Sequence, residues 1–142
     1  MYGISECVRA DRTIELLKQS KYEELGYLMK ISHDGDRLNG ARVTDELLKT
    51  LIKENADIAL QRGKYDCSVD KIDYLCDVLN ATDGVLGSEI AGAGLGGCVV
   101  ALVEKERADK IISVVNEKYY DKFGYERSAH VYCASHGSVV LF

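Results

Sequence analysis

Gly84-Val85-Leu86-Gly87-Ser88-Glu89-Ile90-Ala91-Gly92-Ala93-Gly94-Leu95-Gly96-Gly97-Cys98-Val99-Val100-Ala101-Leu102-Val103 carries the reading of the fold. Val85 to Ile90 reads as a strand. Cys98 to Val103 is a continuous apolar run of strand length. Between them lie Gly92, Ala93, Gly94, Leu95, Gly96 and Gly97, four glycines in six positions. Glycine lets a backbone turn tightly and present its amides to an anion with no side chain in the way. A dinucleotide-binding fingerprint needs a helix directly after its glycines, and here a strand follows. A Walker A loop needs Gly-Lys-Ser/Thr, which is absent. What remains is either a plain turn between two strands or a loop that offers its amides to an anion.

Upstream the pattern is helical. Arg9 to Lys18 places Ile14, Leu16 and Leu17 on a helical spacing. Ser20 and Glu23 have the form of a capping box, and Leu25, Leu28, Met29 and Ser32 follow at i, i+3, i+4 and i+7. That predicts a helix ending near Ser32. Asp34 to Gly40 reads as a loop. Thr44 is placed to cap a further helix whose buried stripe is Leu47, Leu48, Leu51, Ile52 and Ile58, ending at Arg62-Gly63. Ser68, with Asp70 in the first turn, is placed to cap another, with Ile72, Leu75, Cys76 and Leu79 as its inner face and Thr82-Asp83-Gly84 as its close. Downstream, Ala108, Ile111, Ile112, Val115 and Tyr119 define a helix stopped near Gly124, and Ala129 to Ala134 reads as a third strand. Helix, strand, strand, helix, strand is half of a ferredoxin-like α+β sandwich, with the early helices packed beside it. The expected fold is an antiparallel sheet of three or four strands with helices on one face, plus an N-terminal helical subdomain. Residues 1–142 are expected to form one domain, with 34–43 as its softest point.

Composition narrows the function classes. The chain has 142 residues and a net charge of −5, and no Lys/Arg cluster longer than two. A phosphate-tracking nucleic-acid face is therefore not expected. No apolar run approaches the ~20 residues that cross a bilayer, and the first residues lack the basic and apolar regions of a signal peptide. Five cysteines at 7, 67, 76, 98 and 133 form no C-x-x-C pair. They read as reduced thiols of a cytoplasmic protein. Asp34, Asp36 and Asn39 with Gly35 and Gly40 lack the ligand spacing of a calcium loop, and no metal site is expected. His33 reads as a helix-end residue that packs or caps carbonyls. His130 and His136 read as structural, and Cys98 as a small residue buried behind the glycine loop. No catalytic residue is assigned within the chain.

Three segments, in order, resemble galactokinases, members of the galactokinase, homoserine kinase, mevalonate kinase and phosphomevalonate kinase superfamily. Leu25 to His33 is similar to F-G-x-L-M-x-x-S-H. Tyr65 to Leu75 is similar to D-Y-E-V-S-x-P-E-L-D-x-L. Residues 84–98 are similar to G-x-x-G-x-R-x-T-G-x-G-F-G-G-C, the family's third motif. Glu89 stands where that motif has Arg, Ala91 where it has Thr, Leu95 where it has an aromatic, and Asp70 where the second segment has Pro. An extra helix lies between His33 and Tyr65. The resemblance implies the C-terminal lobe of an ATP- and magnesium-dependent sugar 1-kinase, with a monosaccharide as the acceptor and residues 92–97 near the ATP phosphates. The family's N-terminal Gly-Arg-x-Asn-x-x-Gly-Glu-His-x-Asp-Tyr segment and its Pro-x-Gly-x-Gly-x-Ser-Ser phosphate loop are absent. Those supply most sugar contacts, the acid/base group and the main phosphate cradle, so the chain alone is expected to be inactive and to partner a missing N-terminal kinase lobe. The alternative that the resemblance leaves open is a non-enzymatic sugar- or ATP-responsive regulator, or a freestanding binding or dimerisation module. A homodimer is compatible with either.

Overall fold

The computed structural model describes residues 1–38, 43–92 and 97–134. Helix α1 runs Tyr2–Lys18 and α2 runs Tyr22–Asp36. Helix α3 is Asp45–Lys53, followed by a single 3-10 turn at Ile58–Leu60, and α4 is Asp70–Asn80. Strands β1 (Val85–Ala91) and β2 (Cys98–Val103) form an antiparallel pair, and α5 (Ala108–Val115) continues into a π-helical turn at Asn116–Asp121. This is an α+β architecture with a helical N-terminal subdomain, as the sequence implies.

Helix α1 starts a full two turns earlier than its apolar pattern. Polar contacts hold the extra turns. The Ser5 hydroxyl donates to the Met1 carbonyl at 3.2 Å. The Arg9 guanidinium, only 4% exposed, donates to the carbonyls of Ala59 and Gln61 at 2.9 and 3.0 Å and pairs with Glu6. Ser20 does not build a capping box. Its φ of +54° makes it the left-handed closing residue of α1, with Ser20 N–H on the Leu17 carbonyl and Lys21 N–H on the Leu16 carbonyl. That pair of bonds is a Schellman closure.

Helix α2 runs on through Asp34-Gly35-Asp36, where a loop was expected. The orphan carbonyls of its last turn are taken by the chain that passes beneath: Tyr65 N–H donates to Gly35, and Cys67 and Ser68 N–H donate to Asp36. Satisfied carbonyls let a helix continue past its apolar stripe. Thr44 caps α3 as expected, its hydroxyl accepting from Leu47 N–H at 3.2 Å. The helix stops at Lys53, however, well short of Arg62, and none of its residues is buried. Ser68 does not cap α4. Val69 holds that position, and the Ser68 hydroxyl donates instead to the Asp73 carboxylate at 2.5 Å.

Two apolar clusters flank β1. One joins α4, the hairpin and α5 through Leu75, Leu79, Val85, Ile111, Val115 and Tyr119, with Val99, Ala101 and Val103 of β2 packed on it. The other is Leu16, Leu28 and Ile31 between α1 and α2. Helix α2 reaches β1 by backbone contact. A Cβ at Gly87 would lie 2.0 Å from the Gly26 carbonyl oxygen, and a Cβ at Gly26 would lie 2.4 Å from the Leu86 carbonyl. A bulge between Val85 and Gly87 sits at this crossing.

The expected third strand does not form. Ala129 packs on the larger cluster, yet residues 129–134 pair with neither β1 nor β2. Val131 is 48% and Tyr132 86% exposed. A ladder needs a partner edge and a buried face, and among the described residues this stretch has neither. The sheet they form is therefore two-stranded rather than three- or four-stranded.

Candidate functional site

The hairpin mounts the glycine stretch. Its last pair is Ala91 opposite Cys98. Gly92 follows at φ +88° and Gly97 precedes β2 at φ +111°. These are backbone conformations that residues with a Cβ rarely adopt. Among the described residues, no atom beyond the chain neighbours lies within 4 Å of where a Cβ would stand at either position. Glycine is thus required there by backbone direction and not by crowding. The four residues between them, Ala93, Gly94, Leu95 and Gly96, lie outside the described residues. Cys98 is exposed beside the loop, not buried behind it. As the first residue of β2, it starts the strand's alternation on the side away from the apolar cluster, which Val99, Ala101 and Val103 face.

Behind the strand lies a polar seam that the apolar pattern gave no sign of. Glu6 and Arg9 of α1, Ser32 of α2 and Glu89 of β1 line a pocket of about 250 Å³. The Ser32 hydroxyl donates to Glu6 Oε2 at 3.1 Å. Burial, reinforced by the negative charges of Glu6 and Asp36, pushes the Glu89 carboxyl up to about 7, against the opposing pull of Ser32 and Arg9. The available signal was the Glu6-x-x-Arg9 spacing, which puts both side chains on one helix face.

A second polar group closes the C-terminal end of α2. His33 is 1% exposed. It caps no carbonyl, and neither ring nitrogen has a hydrogen-bond partner among the described residues. Its Nε2 lies 3.4 Å from Asp73 Oδ1 but outside bonding alignment. Burial, then the nearby Arg37 charge, lowers its pKa, so the ring is neutral at pH 7. Ser68, Asp73 and His33 adjoin, but the Ser68 hydroxyl donates to Asp73 and not to His33. The serine is therefore not activated as a nucleophile. Cys67 and Cys76 are buried, with thiols pushed up to about 11 and about 12, chiefly by burial. Neither is a ready thiolate. The 34–36 segment is helical, and Asn39 and Gly40 lie outside the described residues. Among the described residues no cluster of His, Cys, Asp or Glu is placed to hold a metal ion. His130 lies near Tyr132, while His136 lies outside the described residues.

The glycine hairpin, the α4–α5 layer behind it and the α1–α2 pair coincide with one known family. Residues 13–121 match the family model described as GHMP kinases C terminal. The chain belongs to the GHMP kinase C-terminal family. It is 30% identical over 141 residues to a galactokinase of Clostridium perfringens (strain SM101 / Type A), covering 99% of this chain and 30% of that protein. It is 26% identical over 137 residues to a galactokinase of Exiguobacterium sibiricum, covering 96% of this chain and 29% of that one. Among solved structures, Lactococcus lactis galactokinase complexed with galactose superposes with a TM-score of 0.55 at 22% identity, over 82% of this chain and 24% of that one. This GHMP kinase C-terminal chain therefore spans about 30% of the length of the curated relatives it matches. The matched span holds the whole hairpin and both polar groups around α2, apart from Glu6 and Arg9, which precede residue 13.

Proposed function

We propose that this chain is the C-terminal lobe of an ATP-dependent, galactokinase-like sugar 1-kinase of the cytoplasm, folding as one domain. Its glycine stretch, Gly92, Ala93, Gly94, Leu95, Gly96 and Gly97, completes the nucleotide cleft beside the ATP phosphates. A hexose is the acceptor and magnesium accompanies the nucleotide. One observation carries the reading: a strand-turn-strand unit entered at Gly92 and left at Gly97 with positive φ, in a chain similar to galactokinases along nearly its whole length.

The residues fit one part of that role. Four glycines among residues 92–97 leave amides without side chains of their own, which suits a phosphate. Residues 91–98 contain no Lys or Arg, so the charge that neutralises the transferring phosphoryl group comes from the missing lobe. With no metal-ligand cluster among the described residues, magnesium is held by the nucleotide and that lobe. Phosphoryl transfer depends on positioning and charge stabilisation. A lobe that supplies only part of the cradle does not turn over.

Two measurements test this. The purified chain, given ATP, magnesium and a panel of hexoses, pentoses and uronic acids, shows no sugar-dependent ADP release; clear turnover overturns the severed-lobe reading. In a kinase completed by joining a galactokinase N-terminal lobe to this chain, Gly97→Val lowers kcat/KM on the order of 100-fold, the cost of losing an aligned donor. Unchanged turnover in that variant removes the loop from the phosphate site. Sugar and ATP binding without turnover in the completed protein assigns the regulator reading instead.

A further inference from the structure

His33 is packed where the last turn of α2, the 65–68 segment and the first turn of α4 converge. One oxygen of Asp73 stands before two neighbours there. Asp73 Oδ1 accepts from the Ser68 hydroxyl at 2.5 Å and lies 3.4 Å from His33 Nε2, which is not aligned to bond it. Its other oxygen lies 3.9 Å from Arg37 Nη1. Arg37 is itself shared with Asp34 and Asp77. Ser68 is as deeply buried as the ring, so its hydroxyl depends on Asp73. The same residue gives its N–H to the Asp36 carbonyl, beside that of Cys67, and so closes the end of α2.

A neutral ring makes no demand on Asp73. A ring that takes up a proton has two N–H donors and a charge buried against a carboxylate. A buried charge without a partner is costly, and the nearest carboxylate relieves it. Asp73 Oδ1 then swings about the Cβ–Cγ bond toward Nε2–H and away from Ser68. We infer that His33 is a proton-operated latch between α2 and α4: neutral, it leaves Asp73 to Ser68 and Arg37; protonated, it takes Asp73 and loosens the 65–68 segment from the end of α2. The groups facing the ring are Asp34 and Asp36 from α2, Arg37 just after it and Asp73 from α4, with the Cys67 thiol donating to Asp36 at 3.3 Å. Burial first, then Arg37, holds the ring below the ordinary histidine value of 6.5, against the pull of the three carboxylates. The unfolded chain therefore takes its proton at higher pH than the folded one. The closed latch is fully stable above about 6.5 and weakens as pH falls below it. This device is separate from the glycine hairpin and does not depend on the kinase reading.

A pH titration of the full chain by heteronuclear NMR, from about pH 7.5 to about pH 4.5, tests it. The His33 ring signals are assigned by their loss in His33→Gln. The wild-type ring titrates below its ordinary value. The Cys67 and Ser68 amides shift with the same midpoint and exchange with solvent at least about tenfold faster on its acid side. In His33→Gln those amides no longer respond. Asp73→Asn, which keeps an oxygen for Ser68, lowers the His33 midpoint by about one pH unit, and Arg37→Gln raises it by less. The two variants move the midpoint in opposite directions, so either decides if the other fails to fold. Amides of 67 and 68 that stay silent while His33 titrates overturn the latch. So does a His33 midpoint that neither variant moves, or an amide response that persists in His33→Gln, which would assign the proton to a neighbouring carboxylate. Cooperative unfolding ahead of the His33 titration also overturns it, because the folded chain then never holds the protonated ring.

Discussion

The two halves of this molecule cohere by different means. The hairpin half is dry: Leu75, Leu79, Val85, Ile111, Val115 and Tyr119 close on one another with no charged group among them. The helical half has a small apolar cluster of three buried residues and depends on a polar seam, in which Arg9, Glu6, Ser32 and Glu89 join α1, α2 and β1. A dry core is indifferent to pH and salt. A polar seam is specific in direction, sensitive to protons and costly to break from one side. The two halves also meet at Gly26 and Gly87, where backbone rests on backbone.

The sharpest way to break this arrangement is to insert a side chain at the meeting point. Gly87→Val places atoms where the Gly26 carbonyl already lies. Overpacking against backbone cannot be relieved by rotamers, so a loss of at least about 3 kcal/mol is expected. Urea denaturation followed by circular dichroism checks it, and a cooperative transition at the wild-type midpoint would show that α2 can stand off β1. A comparison of Arg9→Ala with Leu79→Ala comes next. Each is expected to cost about 3 kcal/mol, the first by removing the Glu6 ion pair and the donors to the Ala59 and Gln61 carbonyls, the second by opening a cavity. The two differ in kind. The penalty for Arg9→Ala changes between pH 4 and pH 8 in denaturant titrations, whereas that for Leu79→Ala stays constant.

The smallest effect is the most diagnostic. Glu89 titrates near 7 in the folded chain, above the ordinary glutamate value of 4.5. The folded state thus holds a proton that the unfolded state gives up. The stabilisation is complete below about 4.5 and is lost as pH rises through about 7. The groups facing Glu89 are Glu6 and Arg9 from α1 and Ser32 and Asp36 from α2. Glu89→Gln keeps the neutral shape and removes the titration, so the variant's stability should fall less than the wild type's over that window, by about 1–2 kcal/mol for a group still partly in contact with solvent. Parallel pH profiles for the two chains would mean that Glu89 is freely solvated.

What the sequence made legible follows the same division. The hairpin, α4 and α5 were readable because apolar periodicity and glycine placement determine them. Gly124 ends the last helical segment at φ +67° as its position suggests. Several helix ends were misread where polar contacts decide. The first turns of α1 depend on Ser5 and Arg9, the last turn of α2 on amides from residues 65–68, and Ser20 on a closure that its side chain does not announce. The apolar stripe of α3 gave the right helix and the wrong environment, since periodicity states which face is apolar and not what covers it. Of the candidate site, the two flanking glycines, Gly92 and Gly97, hold positive φ. Glu89, noticed only as a departure from a family pattern, gains its meaning from neighbours far away in the chain.

The crossing of Gly26 over Gly87 has a mechanical consequence. Side chains between packed elements act as a compliant layer, and here there is none. At this crossing a tilt of α2 bears directly on the backbone of the strand beneath it. The hairpin then acts as a lever, with its fulcrum near the bulge and its tip at residue 92. Small movements at the far end of α2, where residues 65–68 are tethered to its last carbonyls, become larger ones at the tip.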